Sequence, residues 1–488
     1  MDESDSAPLV RGARAFETSC HGEGNSSLCH SDDDDGRPKR TGTVLTAAAH
    51  IITAVIGSGV LSLPWSMAQL GWIAGPIVLF TFAIVTYYMS LLLADCYRSP
   101  DIVTGKRNYT YMQAVKANLG GIQVWFCGVV QYASLIGTSI GYTLTASISM
   151  VAILRSDCLR RTGKPSSCHI SNNPSMILFG AVQIILSQIP DFNKLWWLSI
   201  VAAIMSFSYS IIGLGVCLGK LFDGCHFHGT YGGVVAIGNT TETQKAWLIC
   251  QALGNVAFAY SYSMILIEIQ DTLKSPPPEN KSMRKATSVG IGVTTIFYML
   301  SGCVGYAAFG NDAPGNILMG FESYGPYWLI DFANACVVVH LVGAYQVFSQ
   351  PVYACVEEFV YEGSSGSGFI YKEFVLSLPM DWTYRFNIFQ LLWRSAFVVA
   401  CTLVAMLLPF FNDILGILGA LGFWPLTVYY PVEMFIAQMQ VRKWTKEWLT
   451  LQVVSATCLL ISVAAAIGSI EGVIQDLKVY KPFKTILR

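Results

Sequence analysis

The chain has 488 residues, is 53% hydrophobic and only 12% charged, and has a net charge of −1. Ordinary soluble domains carry about a quarter charged residues, so this composition excludes a string of soluble domains. The near-zero charge predicts neither a polybasic nor a polyacidic surface, and no nucleic-acid partner is expected.

Residues 1–43 hold "SDDDDGRPKR", many Ser and Gly, and no apolar periodicity, so they read as a disordered tail. The tail lacks the charged start, short apolar core and cleavage site of a signal peptide. Eleven apolar runs then follow, each near the roughly 20 residues that a bilayer crossing needs. They cover about 44–70, 73–95, 121–154, 175–189, 196–219, 246–270, 287–309, 327–360, 388–409, 414–436 and 449–470. The fourth is short. The predicted organisation is a cytosolic tail (1–43), one transmembrane domain (44–470) embedded in the lipid bilayer, and a short extracellular tail (471–488).

Orientation follows from Lys and Arg, which favour the cytosolic side. The loop 274–286, "KSPPPENKSMRKA", suits the cytosol, whereas "FGNDAPGNILMGFESYGPYW" has no positive charge and suits the outside. Lys478, Lys481, Lys484 and Arg488 argue the other way for the last span. Cys158 and Cys168 share an outside loop, a compartment that permits a disulfide, and both bonded and free states stay open. Asn239 begins a glycosylation sequon in another outside loop. The sequons at Asn25, Asn108 and Asn280 lie on the cytosolic side.

Spans 1 and 6 are interrupted. Span 1 contains "HIITAVIGSGVLSLP" (50–64), and span 6 reads "ALGNVAFAYSYSMILIEIQ" (252–270). In hydrocarbon, a broken helix survives only where it is buried in protein or lines a cavity. Breaks at matching positions of two halves point to a transporter binding site; close helix packing by small residues is the alternative. Gly57, Ser58, Gly59 and Val60 form one expected side of the site, where the free amides of Ser58, Gly59 and Val60 at a helix start would hold a carboxylate. Phe258, Ala259, Tyr260, Ser261 and Tyr262 form the other, where carbonyls would accept from an ammonium group. An α-amino acid carries both charges on one carbon.

Three stretches, "HIITAVIGSGVLSLPWSMAQLGW", "GNVAFAYSYSMILIEIQDTL" and "FFNDILGILGALGFWPLTVYYPVEMFI", resemble signature segments of the plant amino acid permeases of the amino acid/auxin permease family. The resemblance implies an all-α polytopic membrane protein with about 11 transmembrane helices. It also implies a leucine-transporter-like five-plus-five inverted repeat, broken in helices 1 and 6. The implied activity is plasma-membrane import of amino acids with protons. Tyr132 in span 3 and Tyr345 in span 8 are implied to close the pocket sides.

Two histidines lie within spans, His50 and His340, and intramembrane ionisable residues are functional candidates. The resemblance matches both to the family's membrane histidines. His340 is the expected titrating group and His50 a second group at the cytosolic end, with helix–helix hydrogen bonding as the other reading. Residues 331–348 of span 8 contain no Ser or Thr, and that absence weakens a sodium site, because hard cations take oxygen ligands. Asp331 reads as a proton access point or a helix cap. Glu268 reads as a gate ion, paired with Arg284 or Lys285, or as a structural carboxylate.

An enzyme is not expected, since no His-Glu-x-x-His pattern and no phosphate-cradling loop occurs. No cofactor and no metal site are expected, and a monomer is assumed. The remaining rivals are a same-family carrier of auxin or another carboxylate and a non-transporting amino acid sensor.

Overall fold

The computed structural model describes residues 33, 35–36, 39–163, 168–189, 196–224, 228–234, 241–321, 326–363, 370, 372–378 and 382–479. Nine helices among them are long and apolar enough to cross a membrane. One of these, Ser58–Asp95, contains the second half of span 1 and all of span 2. With the shorter helices Val44–Val55 and Asn173–Ser187, they make up the eleven expected crossings.

Both interrupted spans start alike. Thr43 and Thr241 each cap their helix in a reciprocal capping box, with Thr46 and Gln244 as the third residues. Span 1 then runs Val44–Val55, leaves helical geometry at Ile56 and Gly57, and restarts as a 3-10 turn, Ser58–Ser62. Span 6 runs Glu242–Ala259, breaks at Tyr260–Tyr262, and restarts through Ser263–Ile265 into Leu266–Gln270.

No loop separates span 1 from span 2. The helix Leu63–Asp95 turns at Gly71, whose φ of 80° and ψ of 178° are open to glycine and strained for other residues. A Cβ there would also lie 2.2 Å from the Gly233 nitrogen. Residues 228–234 are strapped across this corner: Trp72 N–H donates to Thr230 O at 3.2 Å, and Val234 N–H donates to Ala68 O at 2.9 Å.

Span 3 is Gly121–Thr162, span 4 Asn173–Ser187, span 5 Trp196–Gly224, span 7 Glu279–Phe309, span 8 Tyr327–Gly363 and span 9 Ile388–Leu407. Span 4, at 15 residues, is about 22 Å long and shorter than a hydrocarbon core of about 30 Å. Span 10 has a feature that no sequence pattern signalled. Between Phe411–Gly422 and Tyr430–Gln438 it widens into a π-helical segment, Phe423–Tyr429. Pro425 lies within it and cannot donate a backbone hydrogen bond. Span 11, Lys446–Val479, runs about two turns past the expected boundary at residue 470. Span 7 starts at Glu279 rather than 287, because "ENKSMRKA" continues the helix instead of forming a loop.

Spans 1 and 2 pack on span 7, span 8 on spans 3 and 5, and span 6 on spans 10 and 11. Ile73, Ile77, Phe80 and Ile84 of span 2 are exposed on the outer surface, as expected for side chains facing lipid. Among the described residues, strands form two hairpins in the connections, 98–99 with 106–107 and 373–378 with 382–387.

Candidate functional site

The two breaks meet at an enclosed pocket of about 40 Å³. Val55, Gly57, Ser58 and Gly59 line it from span 1, and Phe258, Ala259 and Ser261 from span 6. Span 3 adds Ser134, Thr138 and Tyr142, span 8 adds Phe348, and span 10 adds Leu418. Such a volume admits about one water molecule, so a ligand the size of an amino acid requires the walls to part.

Hydrogen bonding decides which backbone groups are available. Val60 N–H donates to Gly57 O at 3.3 Å. Ser58 and Gly59, first in the 3-10 turn, have no acceptor inside it. Of the three amides expected to face a carboxylate, two are therefore open, and Val60 lines a separate small cavity beside Tyr209. Across the pocket, Phe258 O accepts from Ser261 N–H at 3.0 Å, and Ala259 O accepts from the Tyr298 hydroxyl at 3.0 Å. The Ala259 carbonyl keeps a second lone pair, whereas Phe258 O also accepts from Tyr260 N–H. The pocket thus receives the positive end of one half-helix and the negative end of another.

Four of the expected tyrosines lie elsewhere. Tyr260 packs on the Tyr298 ring at 5.2 Å, and Tyr262 donates to Ser90 Oγ at 2.8 Å; both are fully buried away from the pocket. Tyr345 packs edge-on against Phe179 at 5.9 Å. Tyr132 lies beside Cys355. Ser134, Thr138 and Tyr142 recur every four residues on one helix face, and Tyr132, two residues from Ser134, is turned about 200° away. The aromatic wall is instead Tyr142 against Phe348, with centroids 5.4 Å apart.

His340 is buried between spans 8 and 5, and its Nδ1 lies 2.8 Å from Ala202 O. A carbonyl only accepts, so Nδ1 carries the hydrogen and Nε2 holds the lone pair that can take a proton. Its ring packs on Tyr209 at 5.8 Å, and Tyr209 in turn borders the cavity with Val60. His50 is exposed on the first half of span 1 and does not reach the pocket. Asp331 accepts from Arg160 at 3.0 Å, which ties spans 8 and 3 together at the face opposite the N-terminus.

Glu268 pairs with neither Arg284 nor Lys285. Its Oε1 accepts from Tyr111 N–H at 3.2 Å, and Arg284 bonds instead to Asp95. Nor is span 8 free of hydroxyls: Ser349, one residue past the stretch 331–348, is fully buried and 3.1 Å from Ser139 Oγ. The missing-hydroxyl argument against sodium therefore holds only for residues 331–348. Cys158 and Cys168 are joined by a disulfide with Cα atoms 5.8 Å apart. Asn239 lies outside the described residues.

The N-terminal face carries an ionic cluster that sequence reasoning missed. Arg98 and Arg107 both donate to Glu279 at 2.8 Å. Arg40, just before span 1, bonds to Asp271, just after span 6, and to Asp33 and Asp35. Burial and the adjacent Asp271 carboxylate push the Tyr97 phenol upward from its ordinary value.

Residues 40–475 match the family described as "Transmembrane amino acid transporter protein". The chain is 60% identical over 454 residues to amino acid permease 2 of Arabidopsis thaliana, covering 93% of this chain and 92% of that one. It is 58% identical to amino acid permease 3 of the same plant, covering 93% and 95%. Among solved structures, the inward-facing conformation of Mhp1 aligns with a TM-score of 0.54 at 13% identity, covering 91% of this chain and 93% of that one. MhsT in complex with L-phenylalanine aligns with a TM-score of 0.52 at 11% identity, covering 88% and 99%. These two show the shared fold, a leucine-transporter-like helical membrane transporter with broken spans. A pocket built at two helix breaks, that fold, and a family match along most of the chain agree, and the chain belongs to the transmembrane amino acid transporter family.

Proposed function

We propose that this protein is a proton-coupled symporter that brings amino acids across the plasma membrane by alternating access, with its N-terminal face in the cytosol. One observation carries the substrate class: Ser58 and Gly59, whose amides have no acceptor in their turn, line the same pocket as Ala259, whose carbonyl keeps a lone pair. A carboxylate and an ammonium group on one carbon answer both sides. A carboxylate alone, as in auxin, would leave the span 6 carbonyl without its charged partner, so the zwitterion is favoured. The relatives' names, amino acid permease, support the same class.

His340 supports the coupling, since its Nε2 lone pair sits in a buried position between spans 8 and 5. A proton held there and a substrate held in the pocket raise each other's affinity by the same factor. An inside-negative potential adds about 2.3 kcal/mol per charge per 100 mV to inward movement of the loaded carrier. The Cys158–Cys168 bond on the face opposite the N-terminus supports an extracellular placement of that face.

The test is uptake in cells lacking their own amino acid carriers, with a panel of amino acids and indole acids at acid and neutral external pH. Saturable amino acid uptake that rises with external acid and persists without sodium is expected. Uptake that follows sodium and ignores pH overturns the coupling, and preference for an acid lacking the amino group overturns the substrate class.

A further inference from the structure

Tyr298 of span 7 holds one proton between two broken helices. Its hydroxyl lies within hydrogen-bonding reach of Val55 O, at the break of span 1, and of Ala259 O, at the break of span 6. The side chain is fully buried behind the pocket, and both carbonyl-bearing residues line that pocket. A neutral phenol donates once, so only one of the two carbonyls has its hydrogen at any moment.

The two carbonyls are not equally in need. Val55 O also accepts from Gly57 N–H at 2.8 Å. Ala259 O accepts from Tyr298 alone among the described residues. A buried carbonyl without a donor is costly, so the phenol proton belongs on Ala259 O while the pocket holds no other donor. An ammonium group entering the pocket offers a charged donor to that same oxygen, and charge-assisted hydrogen bonds are the stronger kind. The phenol is then released toward Val55 O.

We propose that Tyr298 is a positioning residue that competes with the substrate's ammonium group for Ala259 O and, on losing, transfers its hydrogen bond from span 6 to span 1. Substrate occupancy thereby changes which broken helix span 7 is tied to, and the substrate is held less tightly than the pocket alone would hold it. This rests on the amino acid reading above.

The competition gives a sign that a merely structural residue does not. In Tyr298→Phe the ring and its packing on Tyr260 stay, Ala259 O has no rival donor, and the substrate gains what one hydrogen bond is worth, about 3- to 10-fold in affinity. Uptake kinetics per surface transporter should therefore show KM falling by that factor together with a lower maximal rate, because release slows. Tyr298→3-fluorotyrosine, a stronger donor in the same shape, should raise KM, and it is read independently should the phenylalanine variant not reach the surface. An unchanged or raised KM in the phenylalanine variant, or an unchanged or lowered KM in the fluorotyrosine variant, overturns the proposal. If the unaltered protein takes up no amino acid in this assay, the underlying reading has failed and the proposal falls with it. If it does and the variants behave otherwise, only the role of Tyr298 has failed.

Discussion

Gly59 and Ala259 touch backbone to backbone across the two breaks: a Cβ placed on Gly59 would lie 2.9 Å from the Ala259 Cα. No flexible side chain stands there to yield, so even one methyl group must push the half-helices apart. Overpacking of this kind costs about 1–3 kcal/mol. Gly59→Leu is expected to reach the cell surface and lose uptake, read by surface biotinylation beside radiolabelled uptake. Gly57, two residues earlier, has nothing within 4 Å of its Cβ position. Gly57→Ala should fold normally and discriminate only against bulky substrates, because it lines the pocket. Equal damage from both variants would contradict the assignment.

His340→Ala removes the ring whose Nδ1 is anchored on Ala202 O. Transport current in this variant should lose its stimulation by external acid, falling to the level seen at neutral pH, with surface amount preserved. His50, exposed and away from the pocket, should on substitution slow turnover more than it weakens apparent substrate affinity. Intact acid stimulation in both variants would leave only structural roles for the two histidines.

Glu279 sits between two guanidinium groups, with its side chain 1% exposed and those of Arg98 and Arg107 6% and 1%. Neutralising the carboxylate takes one buried ion pair from each guanidinium, although Arg107 keeps Asp35 at 3.3 Å, and loss of a partner from such a buried group costs about 3–5 kcal/mol. Glu279→Gln should melt earlier than the unaltered protein in detergent, as followed by tryptophan fluorescence. Coincident melting curves would show that the cluster is solvated.

The Cys158–Cys168 bond closes a short loop, with a sequence separation of 10. Chain-entropy arithmetic assigns such a loop about 3 kcal/mol. Non-reducing peptide mapping should recover the two cysteines linked, and Cys158→Ser should lower thermal stability while uptake at ordinary temperature persists. Labelling of either thiol in intact cells would count against the bond.

Long apolar runs and an interruption in each half, glycine-marked in span 1 and polar-aromatic in span 6, made the span count and the heart of the pocket legible, because hydrocarbon admits few other readings of them. Gly57, Ser58, Gly59, Phe258, Ala259 and Ser261 all line it. The walls were less legible. Tyr132 and Tyr345 came from the resemblance, whereas facing is set by helical phase; the stripe Ser134, Thr138, Tyr142 in "SLIGTSIGY" held that information at four-residue spacing. Tyr298 left no trace in sequence, since its importance lies in which two carbonyls it reaches, 243 and 39 residues away. The pairing of Arg284 with Asp95 rather than Glu268 is of the same kind, a long-range choice among several nearby opposite charges.

The corner at Gly71 has a mechanical meaning. With no linker between spans 1 and 2, the stretch after the first break and the whole of span 2 form a crank with a one-residue elbow. The strap 228–234 is its bearing, bonded on both sides of the elbow through Ala68 and Trp72. Tilting the crank therefore drags the strap, and the strap drags Tyr306, whose hydroxyl donates to Thr230 O. Elbow, strap and span 7 are thus joined in one hydrogen-bonded unit.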